Sequence, residues 1–165
     1  MSKSVFNLLF REIKQKDNRT LASIIRTVLE DFGVNQPGTV YTDPTTDNLF
    51  ELFQKKRSIY HIAEVNGKII GGCGIFPTEG LPKNYGELVK LYLDKAYRNK
   101  GIGKELMLKC IHSAIEMGYK KLYLESLPEL NQAIDLYKKV GFKQVNERLG
   151  SSGHFACNLW MVKDL

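Results

Sequence analysis

The feature that most constrains this chain is a strand that runs straight into a glycine-pinched helix start. Gly86-Glu87-Leu88-Val89-Lys90-Leu91-Tyr92-Leu93-Asp94 has strand character, and Arg98-Asn99-Lys100-Gly101-Ile102-Gly103-Lys104 follows it closely. The helix that opens here carries an apolar stripe through Ile102, Leu106, Cys110, Ala114 and Ile115, so the unpaired amides of its first turn face whatever precedes that turn. Those amides sit at the positive end of the helix dipole and favour a phosphate. Gly101 and Gly103 have no side chain to bar a pyrophosphate from the backbone, and Arg98, Lys100 and Lys104 surround the mouth with positive charge. A glycine pair before a helix can equally make only a tight turn. Two better-known phosphate motifs are excluded. A dinucleotide fingerprint would want glycine where Leu106 stands, and a Walker loop would want Ser or Thr where Glu105 stands.

Arg98, Gly101 and Gly103 fill the three fixed positions of a Gln/Arg-x-x-Gly-x-Gly/Ala pattern. Downstream of a strand-like Lys121-Leu122-Tyr123-Leu124-Glu125-Ser126 comes Asn131-Gln132-Ala133-Ile134-Asp135-Leu136-Tyr137-Lys138-Lys139-Val140-Gly141-Phe142, which fits Asn-x-x-Ala/Ile-x-x-Tyr-x-x-x-Gly-Phe. In these two blocks the second half of the chain resembles the GCN5-related N-acetyltransferase (GNAT) superfamily. The first half is similar to that family only in its order of elements. The resemblance implies an α/β (α+β) fold: a mixed, mostly antiparallel twisted sheet with helices on both faces.

At 165 residues and 43% hydrophobic, the chain suits a single domain over 1–165 with its own core. A formal charge of +6 and a pI near 9.2 suit a polyanion: nucleic acid, an anionic membrane, or a phosphate-rich cofactor such as coenzyme A. Apart from the cradle, the cations are scattered; Lys55, Lys56 and Arg57 read as a solvated helix end, and no nucleic-acid motif accompanies them. No stretch is long enough to span a bilayer. The apolar run at 5–10 is short, broken by Asn7 and followed by charges, which reads as no leader and a cytoplasmic protein. Cys73, Cys110 and Cys157 are an odd set without a close pair, so neither a disulfide framework nor a zinc clamp is expected. His61, His112 and His154 lack metal spacing, and His112 falls on the polar face of the cradle helix. No metal is expected.

Periodicity places a strand over 5–13 and a helix capped by Asp17 or Asn18, with a stripe through Leu21, Ile24, Ile25, Val28 and Leu29, stopping at Gly33. A loop over 33–42 leads to a helix opened by Asp43 and Pro44. Two apolar runs, 58–65 and 68–76, flank Asn66-Gly67, a strong hairpin signal. After a loop at 77–84 come the strand at 86–94, the cradle helix to about Gly118, the strand at 121–126, a helix ending at Gly141, and two strands at 142–147 and 154–162. Strands on both sides of a strand-helix-strand crossover require a mixed sheet.

The reaction the resemblance implies is acetyl transfer from acetyl-CoA, as co-substrate, to a primary amine of a small molecule, amino acid or protein. It also carries over roles. Backbone groups of Leu91, Tyr92 and Leu93 would contact the pantetheine arm, and a backbone amide there would polarise the thioester carbonyl. The pyrophosphate would sit on the amides of Asn99, Lys100, Gly101, Ile102, Gly103 and Lys104, with the Arg98 side chain beside them. Tyr137 would be the general acid that protonates the thiolate, and Asn131 would hydrogen-bond the cofactor. Read without the resemblance, Leu91 and Leu93 are sheet core, Tyr137 is core at helical spacing, and Asn131 is a helix cap.

Glu87 stands where histone-acetylating members carry their catalytic glutamate, which makes it the candidate general base. The alternatives are an exposed edge charge and a water relay. Glu125 is the reserve, otherwise a solvated strand end. His154 begins the last expected strand, where substrate-facing residues stand. No nucleophile elbow supports a hydrolase triad. Two other functions remain open on sequence: a coenzyme A-binding sensor without transfer, and a nucleotide or RNA binder using the basic surface. The acceptor-side segments 33–46, 77–84 and 146–153 show no motif, and the resemblance adds a homodimer through a sheet edge as an option.

Overall fold

The computed structural model describes residues 7–165, and there seven strands make a single sheet. The strands are β1 (Leu8–Glu12), β2 (Ile59–Val65), β3 (Lys68–Phe76), β4 (Tyr85–Leu93), β5 (Lys121–Ser126), β6 (Lys143–Val145) and β7 (Leu159–Asp164). Their spatial order is β1-β2-β3-β4-β5-β7-β6. Every neighbouring pair is antiparallel except β4 and β5. That one parallel pair is what a crossover through a helix demands. Of the strand expected over 5–13, residues 5 and 6 lie outside the described residues.

Helices cover both faces. On one side α3 (Ile102–Glu116) and α4 (Asn131–Lys139) bury Ile102, Leu106, Cys110, Ile134 and Tyr137 against Ala63, Ile75 and Leu88. On the other, α1 (Asn18–Asp31) sets Leu21, Ile25, Val28 and Leu29 on Tyr60, Ile62 and Tyr92, beside the one-turn α2 (Leu49–Leu52). Burying a leucine or isoleucine side chain contributes roughly 1.5–3 kcal/mol, so these two stripes fix the layers. Asn66 and Gly67 both take positive φ, 51° and 79°, which is the hairpin turn that pairs β2 with β3.

Two departures from regular pairing position the site. The β4–β5 ladder joins only Tyr85, Gly86 and Glu87 to Lys121, Leu122 and Tyr123, and beyond that the two strands part. On the opposite side of β4, Gly72 faces Tyr92 and Gly74 faces Val89, so Lys90 and Leu91 together oppose Cys73. This is a β-bulge, and Lys90 sits in it at φ 54°. The glycines of β3 permit the close approach: a Cβ at Gly71 would lie 2.2 Å from the Tyr92 carbonyl oxygen.

Several sequence expectations are corrected. The last strand begins at Leu159, five residues after His154, because β5 ends at Ser126 opposite Leu159 and offers no partner further out. The preceding stretch turns instead to the 36–43 loop, with the Ala156 amide donating to the Gly38 carbonyl at 3.0 Å. Ile115 is off the stripe and 53% exposed, since at about 100° per residue it falls on the far side of the helix from Ile102 and Leu106. Neither Asp17 nor Asn18 caps α1 with its side chain. Asp17 binds Arg11 and the Lys14 amide, and Asn18 accepts from the Phe50 amide at 2.8 Å. After Pro44 comes a 3-10 turn, Pro44–Asp47, with Asp43 capping the Thr45 amide at 2.9 Å; α2 follows separately.

Candidate active site

Where β4 and β5 part, a cavity of about 460 Å³ opens between α1, β4, the start of α3, the end of β5 and α4. The sequence-derived residues Glu87, Leu91, Tyr92, Leu93, Arg98, Asn99, Gly101, Gly103, Lys104 and Tyr137 all line it, whereas Lys100, Ile102 and Asn131 do not. Lys100 and Asn131 are exposed, Asn131 as the first residue of α4, and the Ile102 side chain is in the core.

One end of the cavity offers an anion site. Gly101 precedes α3 at φ 80°, and no side chain among the described residues caps the helix, which leaves the first-turn amides for a ligand. Asn99 is also left-handed, at φ 61°. Arg98 donates from Nε to the Leu93 carbonyl at 3.0 Å and lies over the Phe32 ring at 5.1 Å. Its Nη2 is buried with no hydrogen-bond partner among the described residues. A buried guanidinium nitrogen left over in this way fits an anionic or carbonyl-bearing ligand.

The middle of the cavity is the side of β4 that β5 has left. Leu91 and Leu93 pack against one core and Tyr92 lies in the other, so their side chains are occupied while their backbone borders the opening. Tyr137 is buried and meets Phe142 edge-on at 5.9 Å. Its hydroxyl has no partner among the described residues, and burial pushes the phenol above its ordinary value, so it keeps its proton.

The other end holds the titratable groups. Glu87 is 3% exposed, not an edge charge. Burial pushes its carboxyl up to about 8, the charge of Glu125 adds to this, and a hydrogen bond from the Thr78 hydroxyl and the charges of Lys90 and Arg148 oppose it. A carboxyl titrating there is matched to taking a proton near neutral pH. Glu125 is likewise not a solvated strand end: its side chain is 2% exposed, and it accepts from the hydroxyls of Tyr123 and Ser152. Cys157 also lines the cavity. Burial and the charge of Glu125 push its thiol up to about 12, which keeps it from acting as a thiolate nucleophile.

Three groups here escaped sequence reasoning or entered it in another role. Lys90, Asp43 and His154 form a cluster: His154 Nε2 is 2.7 Å from Asp43 Oδ2, and Lys90 Nζ is 3.7 Å from the same oxygen. Burial would raise the Asp43 carboxyl, but the His154 hydrogen bond, the Lys90 charge and Thr45 hold it well below the usual carboxylate range. Burial lowers Lys90, against the pull of Asp43 and Glu87. Asp43 lies in a motif-free segment and was read only as a helix start, His154 only as the start of the last strand, and for Lys90 a lysine inside an apolar strand was the sole local signal. The other histidines lie elsewhere: His61 Nε2 is 2.9 Å from Ser113 Oγ, and His112 is exposed beside Glu116. Among the described residues, no helix is long and apolar enough to cross a membrane.

Residues 22–142 match the acetyltransferase (GNAT) family. The uncharacterized N-acetyltransferase YjgM of Escherichia coli is 35% identical over 158 residues, which span 95% of this chain and 95% of YjgM. An acetyltransferase of the GNAT family from Staphylococcus aureus superposes with a TM-score of 0.82 at 23% identity, covering 96% of this chain and 99% of that one. YncA of Salmonella typhimurium, solved with its cofactor acetyl-CoA, superposes with a TM-score of 0.73 at 20% identity, covering 96% and 94%.

Proposed function

Because this chain belongs to the acetyltransferase (GNAT) family, and so is an N-acetyltransferase acting on an amine, we propose that it takes acetyl-CoA into the opening between β4 and β5 and acetylates a primary amine held beside Glu87. The observation that carries this reading is a continuous cavity. It runs from the uncapped start of α3, along the side of β4 that β5 has left, to a buried carboxyl that titrates at about 8.

Acetyl-CoA would supply an activated acetyl group as a thioester. The amides at the start of α3 and the side chains of Arg98 and Lys104 hold its diphosphate. Backbone groups of Leu91, Tyr92 and Leu93 take the pantetheine arm as an added strand would, and a β4 amide polarises the thioester carbonyl. Glu87, in its carboxylate form, removes a proton from the acceptor ammonium. The free amine then forms the C–N bond, the C–S bond breaks, the Tyr137 hydroxyl gives its proton to the departing thiolate, and the second proton shed by the acetylated nitrogen restores the phenol. Attack is direct, in keeping with the protonated state of Cys157.

The test is free-thiol release from acetyl-CoA with a panel of amines. Turnover that depends on the amine supports the reading. Saturable acetyl-CoA binding with no thiol release under any amine would make the chain a coenzyme A sensor instead, and salt-sensitive nucleic-acid binding without acetyl-CoA binding would make it neither.

A further inference from the structure

Of the polar groups at the catalytic end of the cavity, most are satisfied. Asp43 accepts from Thr45 through Oδ1 and from His154 through Oδ2. Arg148 donates to the carbonyls of His154, Phe155 and Cys157. Both oxygens of Glu125 accept hydroxyls. Two groups keep unused capacity. Glu87 Oε2 accepts from Thr78, but Oε1 has no partner among the described residues. Lys90 meets a single partner among those residues, Asp43 Oδ2 at 3.7 Å, which leaves the rest of its three donors over.

An ammonium on a side chain only 4% exposed is costly to bury. Its backbone is costly as well, since φ 54° is a left-handed value that a lysine rarely takes. In a regular strand, residues three apart point to opposite faces. The bulge removes that alternation, so that Glu87 and Lys90 line the same cavity and feel each other's charge. The result is an acceptor of protons and a donor of hydrogen bonds side by side, both open to a ligand.

We infer that the acceptor is a small amine carrying its own carboxylate a few bonds away, as a free amino acid does, with the amine against Glu87 and the carboxylate against Lys90. This rests on the acetyl-transfer reading above. A diamine or polyamine is disfavoured, because its second ammonium would meet the buried side chain of Lys90. Lys90 is here a specificity-determining residue that touches the acceptor.

The experiment measures kcat/KM for free amino acids at saturating acetyl-CoA. Each is compared with its methyl ester, its decarboxylated amine, and an α,ω-diamine. The ester is a weaker base than the amino acid and the decarboxylated amine a stronger one, so basicity alone cannot imitate the effect. The best amino acid is expected to exceed both analogues by at least about tenfold, through the acceptor KM, with the diamine slower still. Lys90→Met should bring those ratios to about one while the KM of acetyl-CoA stays within about twofold. Wild-type turnover of the ester, decarboxylated amine or diamine at or above that of the amino acid overturns the inference and leaves acetyl transfer standing, as does a Lys90→Met enzyme that keeps the discrimination. Thiol release with no amine at all sinks both readings. If Lys90→Met does not fold, the wild-type comparison decides alone.

Discussion

The Tyr60 hydroxyl donates a 2.9 Å hydrogen bond to the carbonyl of Lys90, so the bulge of β4 is held from below by a side chain two strands away. Tyr60 is 1% exposed, and Tyr60→Phe would take this donor away from a buried carbonyl. Stability should fall by about 1–3 kcal/mol in urea unfolding. The acceptor KM should rise while the KM of acetyl-CoA barely moves, because the hydroxyl supports Lys90 and not the α3 end. Unchanged acceptor kinetics would detach the bulge from acceptor binding.

Glu87 should link catalysis to pH. With its carboxyl at about 8, kcat/KM for the acceptor should climb as pH rises through that value, and Glu87→Gln should lose the limb along with most of the rate. Stability runs the other way. The folded value is raised above the ordinary 4.5, so the contribution of this group is fully present below 4.5 and is lost as pH rises through about 8. Above pH 8, Glu87→Gln should therefore melt higher than wild type, by about 3 °C if one kcal/mol is recovered. A variant that is both inactive and less stable at pH 9 would contradict this.

Tyr137 and Gly103 should separate chemistry from binding. Tyr137→Phe keeps the ring against Phe142 and breaks no hydrogen bond, so the fold should be unaffected while kcat drops by about a hundredfold. Acetyl-CoA affinity should hardly change. Gly103→Glu should do the reverse, raising the KM of acetyl-CoA by at least about tenfold by placing a carboxylate at the diphosphate position. Gly103→Ala is the control, since its Cβ would meet only Leu136 Cδ2 at 3.4 Å. Isothermal titration alongside steady-state rates distinguishes the two; equal losses in both properties for both variants would mean that the roles are misassigned.

Gly71→Ala should cost about 2 kcal/mol or more, because the new Cβ would stand 2.2 Å from the Tyr92 carbonyl oxygen and 3.0 Å from Leu93 Cα, both of them backbone. The strands can relieve this only by moving apart. A mutant as stable as wild type in chemical denaturation would show that β3 and β4 are not held at this spacing.

What could be read from sequence was what is written locally. Asn66-Gly67 carries its own turn, the stripe from Ile102 to Ala114 carries its own period, and the block from Asn131 to Phe142 keeps its spacing within one helix and its exit. The Glu87 end of the cavity is built differently. His154 reaches Asp43 across 111 residues of sequence, and Ser152 reaches Glu125 across 27. No periodicity spans such distances. The bulge was hidden for a related reason: it is a property of how β4 registers with β3, not of either strand alone. Gly71, Gly72 and Gly74 in an otherwise apolar run were its trace, since glycine inside a strand marks close backbone approach. Glu125 misled because a carboxylate at a strand end is usually solvated, and here the 146–153 segment folds over it.

The early parting of β4 from β5 also bears on solubility. Unsatisfied strand margins at the rim of a protein invite neighbouring molecules to zip on. Here the vacant margin is walled in by α1 and α4, where a thin, flexible chain can thread but a second polypeptide sheet cannot dock. That margin is thereby closed to edge-on pairing with a second sheet.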